Sequence, residues 1–185
     1  DTYGNSAIGQ GKVINVEYVS ANPTGPMHVG HGRGAILGDV LANLAIKVGY
    51  NVTKEYYIND AGAQVEVLAR SLYVRYLEAL GETVNKLPEG FYPGDYLIPV
   101  GKILAEKDGN KWQNLREEEW LEPLRIFAIE SMMDLIREDL MAIGVVHDVF
   151  SSERNLVKDN SVDNVLKILE ERNLIYKGVL EPPKG

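Results

Sequence analysis

The chain has 185 residues, 45% of them hydrophobic, and a formal net charge of −8 from 19 basic and 27 acidic residues. That acidic balance argues against a broad nucleic-acid-binding face, while leaving room for a local contact with an RNA end. No apolar run reaches the length of a membrane span, and without a cysteine disulfide frameworks and cysteine zinc sites are excluded.

The start, Asp1-Thr2-Tyr3-Gly4-Asn5-Ser6, is polar and carries no signal-peptide pattern. Residues 1–12 are glycine-rich and predict a loosely held lead-in or linker. Val13–Val19 reads as a strand apolar on both faces, as a central parallel strand would be. Ser20–Pro26 carries two prolines and a glycine and predicts a loop. A long helix is expected from about Gly30, with Ile36, Leu37, Val40, Leu41, Leu44 and Val48 inward and Gly49 closing it. Asn51–Ile58 is a second strand. The turn Asn59-Asp60-Ala61-Gly62 opens a second helix, with Val65, Leu68, Ala69, Leu72, Tyr73 and Tyr76 inward. Residues 13–80 thus predict β-α-β-α, the beginning of a parallel sheet.

Residues 81–144 read as a mainly helical continuation. The turn Phe91-Tyr92-Pro93-Gly94 precedes a short helix over Tyr96–Lys107, and a longer helix over Trp120–Ile143 is ended by Gly144. In 145–185 a third strand is expected over Val145–Phe150, with His147 a structural residue alternating along it. An amphipathic helix over Asp163–Arg172 and an apolar Leu174-Ile175-Tyr176 follow. Arg116-Glu117-Glu118-Glu119 and Glu170-Glu171 read as solvated helix faces. The chain opens without methionine and closes on Glu181-Pro182-Pro183-Lys184-Gly185, so it is expected to be a piece of a longer protein.

Chemistry is concentrated between Glu17 and His31, where strand gives way to helix. Open α/β sheets receive ligands at the carboxyl ends of their strands, and phosphates sit well at helix N-termini. His28 and His31 can place donor nitrogens beside such an N-terminus, and Gly30 between them lets a flat ring approach the backbone. Gly32, Gly34 and Gly38 allow close packing on strand or ligand. The competing reading is a pair of surface or helix-capping histidines. As metal ligands they would need carboxylate or cysteine partners, and none is indicated, so no metal site is expected. The glycines match neither a phosphate-binding Gly-Lys-Ser/Thr loop nor the G-x-G-x-x-G fingerprint.

Other candidates carry two readings each. Glu17, near the strand end, wants a cationic partner, either a ligand guanidinium or ammonium or an internal ion pair. Asn22 can donate and accept at once, or simply form the turn before Pro23. Asp60 can face the site or cap the second helix. Gln64, one turn further, faces the site or solvent.

The run Val16-Glu17-Tyr18-Val19-Ser20-Ala21-Asn22-Pro23-Thr24-Gly25-Pro26-Met27-His28-Val29-Gly30-His31-Gly32-Arg33-Gly34 resembles the signature segment of the bacterial arginyl-tRNA synthetase family, with His28–His31 as its version of the class I "HIGH" motif. The resemblance continues through Tyr56–Gly62, Arg70-Ser71-Leu72-Tyr73, Tyr92-Pro93-Gly94-Asp95-Tyr96 and Met133–Leu140. It implies an α/β fold, the first half of a Rossmann-like (HUP-type) parallel-sheet nucleotide-binding domain with a helical insertion, in which residues 145–185 start a connective insertion. By the same resemblance, ATP with Mg²⁺ would lie against His28, Gly30, His31, Thr24 and Gly25, with His28 and His31 catalytic. Glu17 would read the arginine guanidinium, Ser20 and Asn22 would hold its α-amino and carboxylate end, and Asp60 and Gln64 would form the site rim. L-arginine and tRNA(Arg) would be the partners of a cytoplasmic, monomeric enzyme with no membrane contact.

One departure concerns Gly25. Some members carry a lysine in this loop in place of one missing from the second (KMSKS) signature. Glycine here predicts a lysine-bearing second signature beyond Gly185, and little aminoacylation by these 185 residues alone. The alternatives are a small HxGH nucleotidyltransferase, which would not need Glu17, and a synthetase-derived binding module without catalysis.

Overall fold

Three parallel strands and six helices make up the described part of the computed structural model, which covers residues 2–84 and 87–179. The order along the chain is β1 (Val13–Glu17), α1 (Val29–Lys47), β2 (Asn51–Ile58), α2 (Ala63–Ala79), α3 (Leu97–Asp108), α4 (Glu117–Ala142), β3 (Val149–Ser152), α5 (Glu153–Lys158) and α6 (Ser161–Glu171). The sheet runs β1-β2-β3, with Glu17 beside Glu55 and Ile58 beside Ser152. Both crossovers step in the same direction. With right-handed connections, α1 and the α2–α4 layer therefore lie on one face of the sheet. Strand alternation sends Val16, Tyr56 and Ile58 toward those helices. Asn15, Glu17, Thr53, Glu55, Tyr57 and Ser151 belong to the opposite face, which no helix among the described residues covers.

The core has two parts. Tyr18, Ala35, Tyr56, Ile58, Val65, Ile129, Met133, Ile136 and Leu140 fill the space between sheet and helices. Leu68, Leu72, Tyr76, Leu97, Leu104, Trp120, Leu124 and Met132 fill the interior of the α2–α3–α4 layer. Helices α2 and α4 contribute to both, so the helical layer is fixed to the sheet through continuous elements. Burial of large side chains such as these contributes about 1.5–3 kcal/mol each.

The structure corrects several expectations. Strand β1 is an end strand of the described sheet and β2 is the central one; Asn15 and Glu17 leave β1 apolar on one side only. On α1 the small residues Ala35, Gly38 and Ala42 are buried, while Ile36, Leu37, Val40, Leu41 and Leu44 are exposed. A helix apolar on nearly all sides gives no single inward face to read from spacing, and here the sheet selects the small-residue stripe because it allows the closest approach. Gly49 follows α1 at φ 91°, the left-handed conformation expected of a closing glycine. Residues 5–12 are docked: Ser6, Gly9 and Gly11 donate backbone hydrogen bonds to Lys47, Val48 and Gly49.

The third strand begins at Val149 because Asp148 bonds sideways. Its carboxylate accepts from the Lys54 amide at 2.8 Å and its own amide donates to the Lys54 carbonyl at 2.8 Å. His147 thus precedes the strand, yet it is buried among Tyr18, Tyr56 and Phe150. Helix α4 starts at Glu117, where three glutamates in its first turn favour the helix dipole and Glu117 pairs with Arg70 of α2. The expected helices near α3 and α6 are present, but α6 buries no residue among those described. The short α5, capped by Ser152, was not expected. Glu181–Gly185 lies outside the described residues.

Candidate active site

The loop from Tyr18 to His28 leaves β1 under unusual backbone constraint. Val19 and Ser20 adopt φ 69° and 41°. A β-branched residue in the left-handed region costs energy that surrounding contacts must hold. The holding bonds are present. Ser20 Oγ accepts the Tyr57 amide at 3.0 Å and donates to Glu17 Oε1. Tyr56 Oη donates to the Ala21 carbonyl at 2.7 Å, and Tyr96 Oη to the Thr24 carbonyl at 2.7 Å.

This turn places Glu17, Ser20 and Asn22 at the carboxyl edge of the sheet. Ser20 is engaged in orienting Glu17. Asn22 donates to Gln64 Oε1 at 3.1 Å and accepts from Asn59 Nδ2 at 3.2 Å. Gln64 therefore joins the corner, while Asp60 does not. Helix α2 begins after Gly62 without a side-chain cap, and Asp60 instead accepts from Ser152 Oγ at 2.7 Å and from the Arg154 amide at 2.9 Å. Asp60 is thus a buried tie from the end of β2 to the first turn of α5, bonded to that helix's N-cap Ser152 and to its Arg154 amide.

The histidines close the other end of the loop. His28 is the N-cap of α1: its Nδ1 accepts the Gly30 amide at 3.1 Å and the His31 amide at 3.4 Å. The His31 Nδ1 accepts the His28 amide at 3.4 Å, and the two rings stack with centroids 3.6 Å apart. The capping reading is therefore realised, and it has a chemical consequence. A ring nitrogen that accepts carries no proton, so each neutral imidazole bears its hydrogen on Nε2. Burial and the neighbouring His28 both push the His31 pKa below the usual imidazole value. The pair presents two Nε2–H donors at a helix N-terminus whose first turn holds no carboxylate. That arrangement favours an anion. Gly30 suits it, because a Cβ there would lie 3.0 Å from His28 Cε1 and crowd the ring. Gly32 and Gly34 face open space, whereas Gly38 packs against Tyr18.

A strained strand-end corner with an exposed carboxylate thus leads through one loop into a histidine-capped helix, as the signature requires. The chain matches the model of the family "tRNA synthetases class I (R), catalytic domain" over residues 1–178. This chain belongs to that family. It is 58% identical to the arginine–tRNA ligase of Bartonella henselae over 186 aligned residues, covering 100% of this chain and 32% of that protein. The arginine–tRNA ligase of Ruegeria sp. is also 58% identical, again over 100% of this chain and 32% of the relative. A Campylobacter jejuni structure assigned as an arginyl-tRNA synthetase superposes with a TM-score of 0.84 at 34% identity, covering 96% of this chain and 38% of that one. The chain spans about a third of the length of the curated relatives it matches.

Within this family fold, the structure also brings forward residues the sequence did not single out as site candidates. Asn59 completes the Asn22–Gln64 corner. Glu55 lies beside Glu17 in register, and hydrogen bonds from Ser151 and Asn15 hold its carboxyl below the usual range. Tyr96 reaches the loop from the helical layer. The available signal was β-strand register for Glu55; Tyr96 lies in the Tyr92–Tyr96 segment of the resemblance, but nothing in it links that residue to the loop before His28. No group of three or more potential metal ligands occurs among the described residues, and no described helix is long and apolar enough to cross a membrane.

Proposed function

We propose that this chain is the arginine-activating corner of an arginine–tRNA ligase. The reading is carried by one juxtaposition: a Glu17–Ser20–Asn22 edge and a His28–His31 N-cap pair at the two ends of one tethered loop. ATP lies with its adenine against Gly30, its triphosphate along Thr24, Gly25, His28 and His31, and Mg²⁺ carried on the phosphates. An arginine carboxylate oxygen attacks the α-phosphorus in line. The bond to the bridging oxygen breaks, pyrophosphate leaves with the electron pair, and arginyl-adenylate forms. The two Nε2–H groups donate to phosphate oxygens as their charge grows, a preorganised stabilisation that needs no covalent enzyme intermediate. Glu17 pairs with the guanidinium through charge-assisted hydrogen bonds, held in place by Ser20. Ser20 and Asn22 face the α-amino and carboxylate end, and Gln64 fixes the Asn22 amide. Asp60 acts from the rim by holding the β2 and α5 ends together. The arginyl group then passes to the terminal adenosine 2′-hydroxyl of tRNA(Arg), displacing AMP, in a cytoplasmic setting.

A small HxGH nucleotidyltransferase or a non-catalytic module fits less well, because the relatives carry the arginine–tRNA ligase name over the whole of this chain. The test is ATP–pyrophosphate exchange by a polypeptide of the relatives' length containing these 185 residues. Exchange that requires arginine, with tRNA present, is expected. Exchange without any amino acid, or with lysine in its place, would sink the reading.

A further inference from the structure

Tyr96 stands apart from the site in sequence and touches it in space. It sits at the start of α3, in the helical layer, and its ring is partly buried against that layer's core. Its hydroxyl donates to the Thr24 carbonyl at 2.7 Å. The ring lies between two glycine backbones. A Cβ on Gly94 would come within 2.0 Å of Tyr96 Cε1, and one on Gly25 within 3.1 Å of Cζ and Oη. Gly94 admits the ring only because it lacks a side chain, and Gly25 lies in tight contact with it.

The segment that carries Tyr96 is itself bracketed onto α2. The Tyr92 amide donates to Ser71 Oγ at 2.9 Å, and Arg75 Nη2 reaches the Pro93 carbonyl at 3.4 Å. Ser71 passes its own hydrogen to the Val67 carbonyl at 2.7 Å, so its hydroxyl is used in both directions. A continuous path of bonded groups runs from α2 through the 92–96 turn to the loop before His28. The loop has a second tether of the same kind in Tyr56, whose hydroxyl holds the Ala21 carbonyl from the sheet. The two tyrosines divide the loop. Tyr56 fixes the Ser20–Asn22 half, and Tyr96 fixes the Thr24–Gly25 half that leads into the histidines.

We propose that Tyr96 is a positioning residue for the ATP side of the site, setting the height of Thr24–Gly25 and hence of the His28 cap relative to the sheet. The inference rests on the arginine–tRNA ligase reading for its substrate. Tyr96 does not touch ATP; it acts through the loop backbone. Losing its hydroxyl releases the Thr24 carbonyl to solvent and loosens Thr24–Pro26, between the Asn22 carbonyl that holds the Thr24 amide and the Asp139 carboxylate that accepts from the Met27 amide at 3.4 Å, while the Tyr56 tether keeps the arginine half in place.

The experiment compares Tyr96→Phe and Tyr56→Phe with the parent, in a polypeptide of the relatives' length. Tyr96→Phe keeps the ring and deletes one hydrogen bond. The ATP KM is expected to rise about fivefold or more with the arginine KM within about twofold; Tyr56→Phe is expected to show the opposite split. An unchanged ATP KM in Tyr96→Phe, or equal movement of both constants, overturns the proposal, because a general loss of structure would not discriminate between substrates. Amide hydrogen exchange separates this failure from failure of the ligase reading. If the parent shows no arginine-dependent exchange of pyrophosphate, faster amide exchange confined to residues 24–28 of Tyr96→Phe still supports the tether, and unchanged exchange there overturns it.

Discussion

Gly38 of α1 lies flat against the ring of Tyr18, so close that a Cβ there would fall 2.2 Å from Cγ. The same tyrosine donates its hydroxyl to Asp39 at 3.1 Å, and Asp39 pairs with Lys54 of β2 at 2.7 Å. One residue thus sets both the distance and the rotation of the histidine-bearing helix on the sheet. Gly38→Ala has to push α1 away or displace Tyr18. A loss of about 1–3 kcal/mol is expected from overpacking, read as a lower midpoint in urea or thermal unfolding. An unshifted midpoint would mean that α1 is not held this way.

The double duty of His28 can be taken apart. As N-cap it contributes about 1 kcal/mol to α1, and in the proposed reaction its Nε2–H would donate to a phosphate oxygen. His28→Asn keeps a capping acceptor and loses the donor at the imidazole position; His28→Ala loses both. Both variants are expected to lose about 10²–10³-fold in arginine activation, but only His28→Ala should also lower thermal stability. Equal stability in the two would remove the capping role.

His147 reports on pH. Burial lowers its pKa; the nearby Tyr18 backbone and the charges of Asp39 and Asp148 oppose that only in part, and Lys54 adds to it. Neither ring nitrogen makes a hydrogen bond to the described residues. The unfolded chain therefore binds a proton that the folded chain resists. Stability from this group is complete above about pH 6.5 and is lost as pH falls from there through the depressed folded pKa. His147→Phe, which can keep the aromatic contacts with Tyr18, Tyr56 and Phe150, should flatten the fall in melting temperature between about pH 6.5 and 5. The same slope in the variant would assign the effect to another group, of which His31 is the first to check.

Much of the parallel βαβ path was legible because strand and helix periods separate cleanly at Asn51–Ile58 and along α2. Legibility failed where the physics was non-local. The α1 residues Ile36, Leu37 and Val40 look inward by spacing, and only contact with the sheet shows that Ala35, Gly38 and Ala42 are the buried set. Asp60 offers the same side chain to two helices, and nothing local says that it reaches Ser152 and Arg154. In the site, the Glu17–His31 stretch could be found as a unit because its residues are contiguous. Gln64, 42 positions from Asn22, was already a rim candidate but with its partner unknown, and Tyr96 joins from 72 positions away from Thr24 with no such signal.

Glu17 and Glu55 test how specific the acidic edge is. They are register partners on the uncovered sheet face, but their bonding differs. Asn15 and Ser151 each take one oxygen of Glu55, so its charge is largely used inside the sheet. Ser20 takes only Oε1 of Glu17, which leaves the second oxygen available to a guanidinium. Glu17→Gln keeps the shape and deletes the charge that makes such pairs strong, about 1.5–3 kcal/mol per charged hydrogen bond. The arginine KM should rise by about 10–100-fold with the ATP KM nearly unchanged. Glu55→Gln should move the arginine KM by less than about threefold and act mainly on stability. Equal effects of the two substitutions on the arginine KM would show that the sheet edge attracts cations in general, and that Glu17 has no reading role of its own.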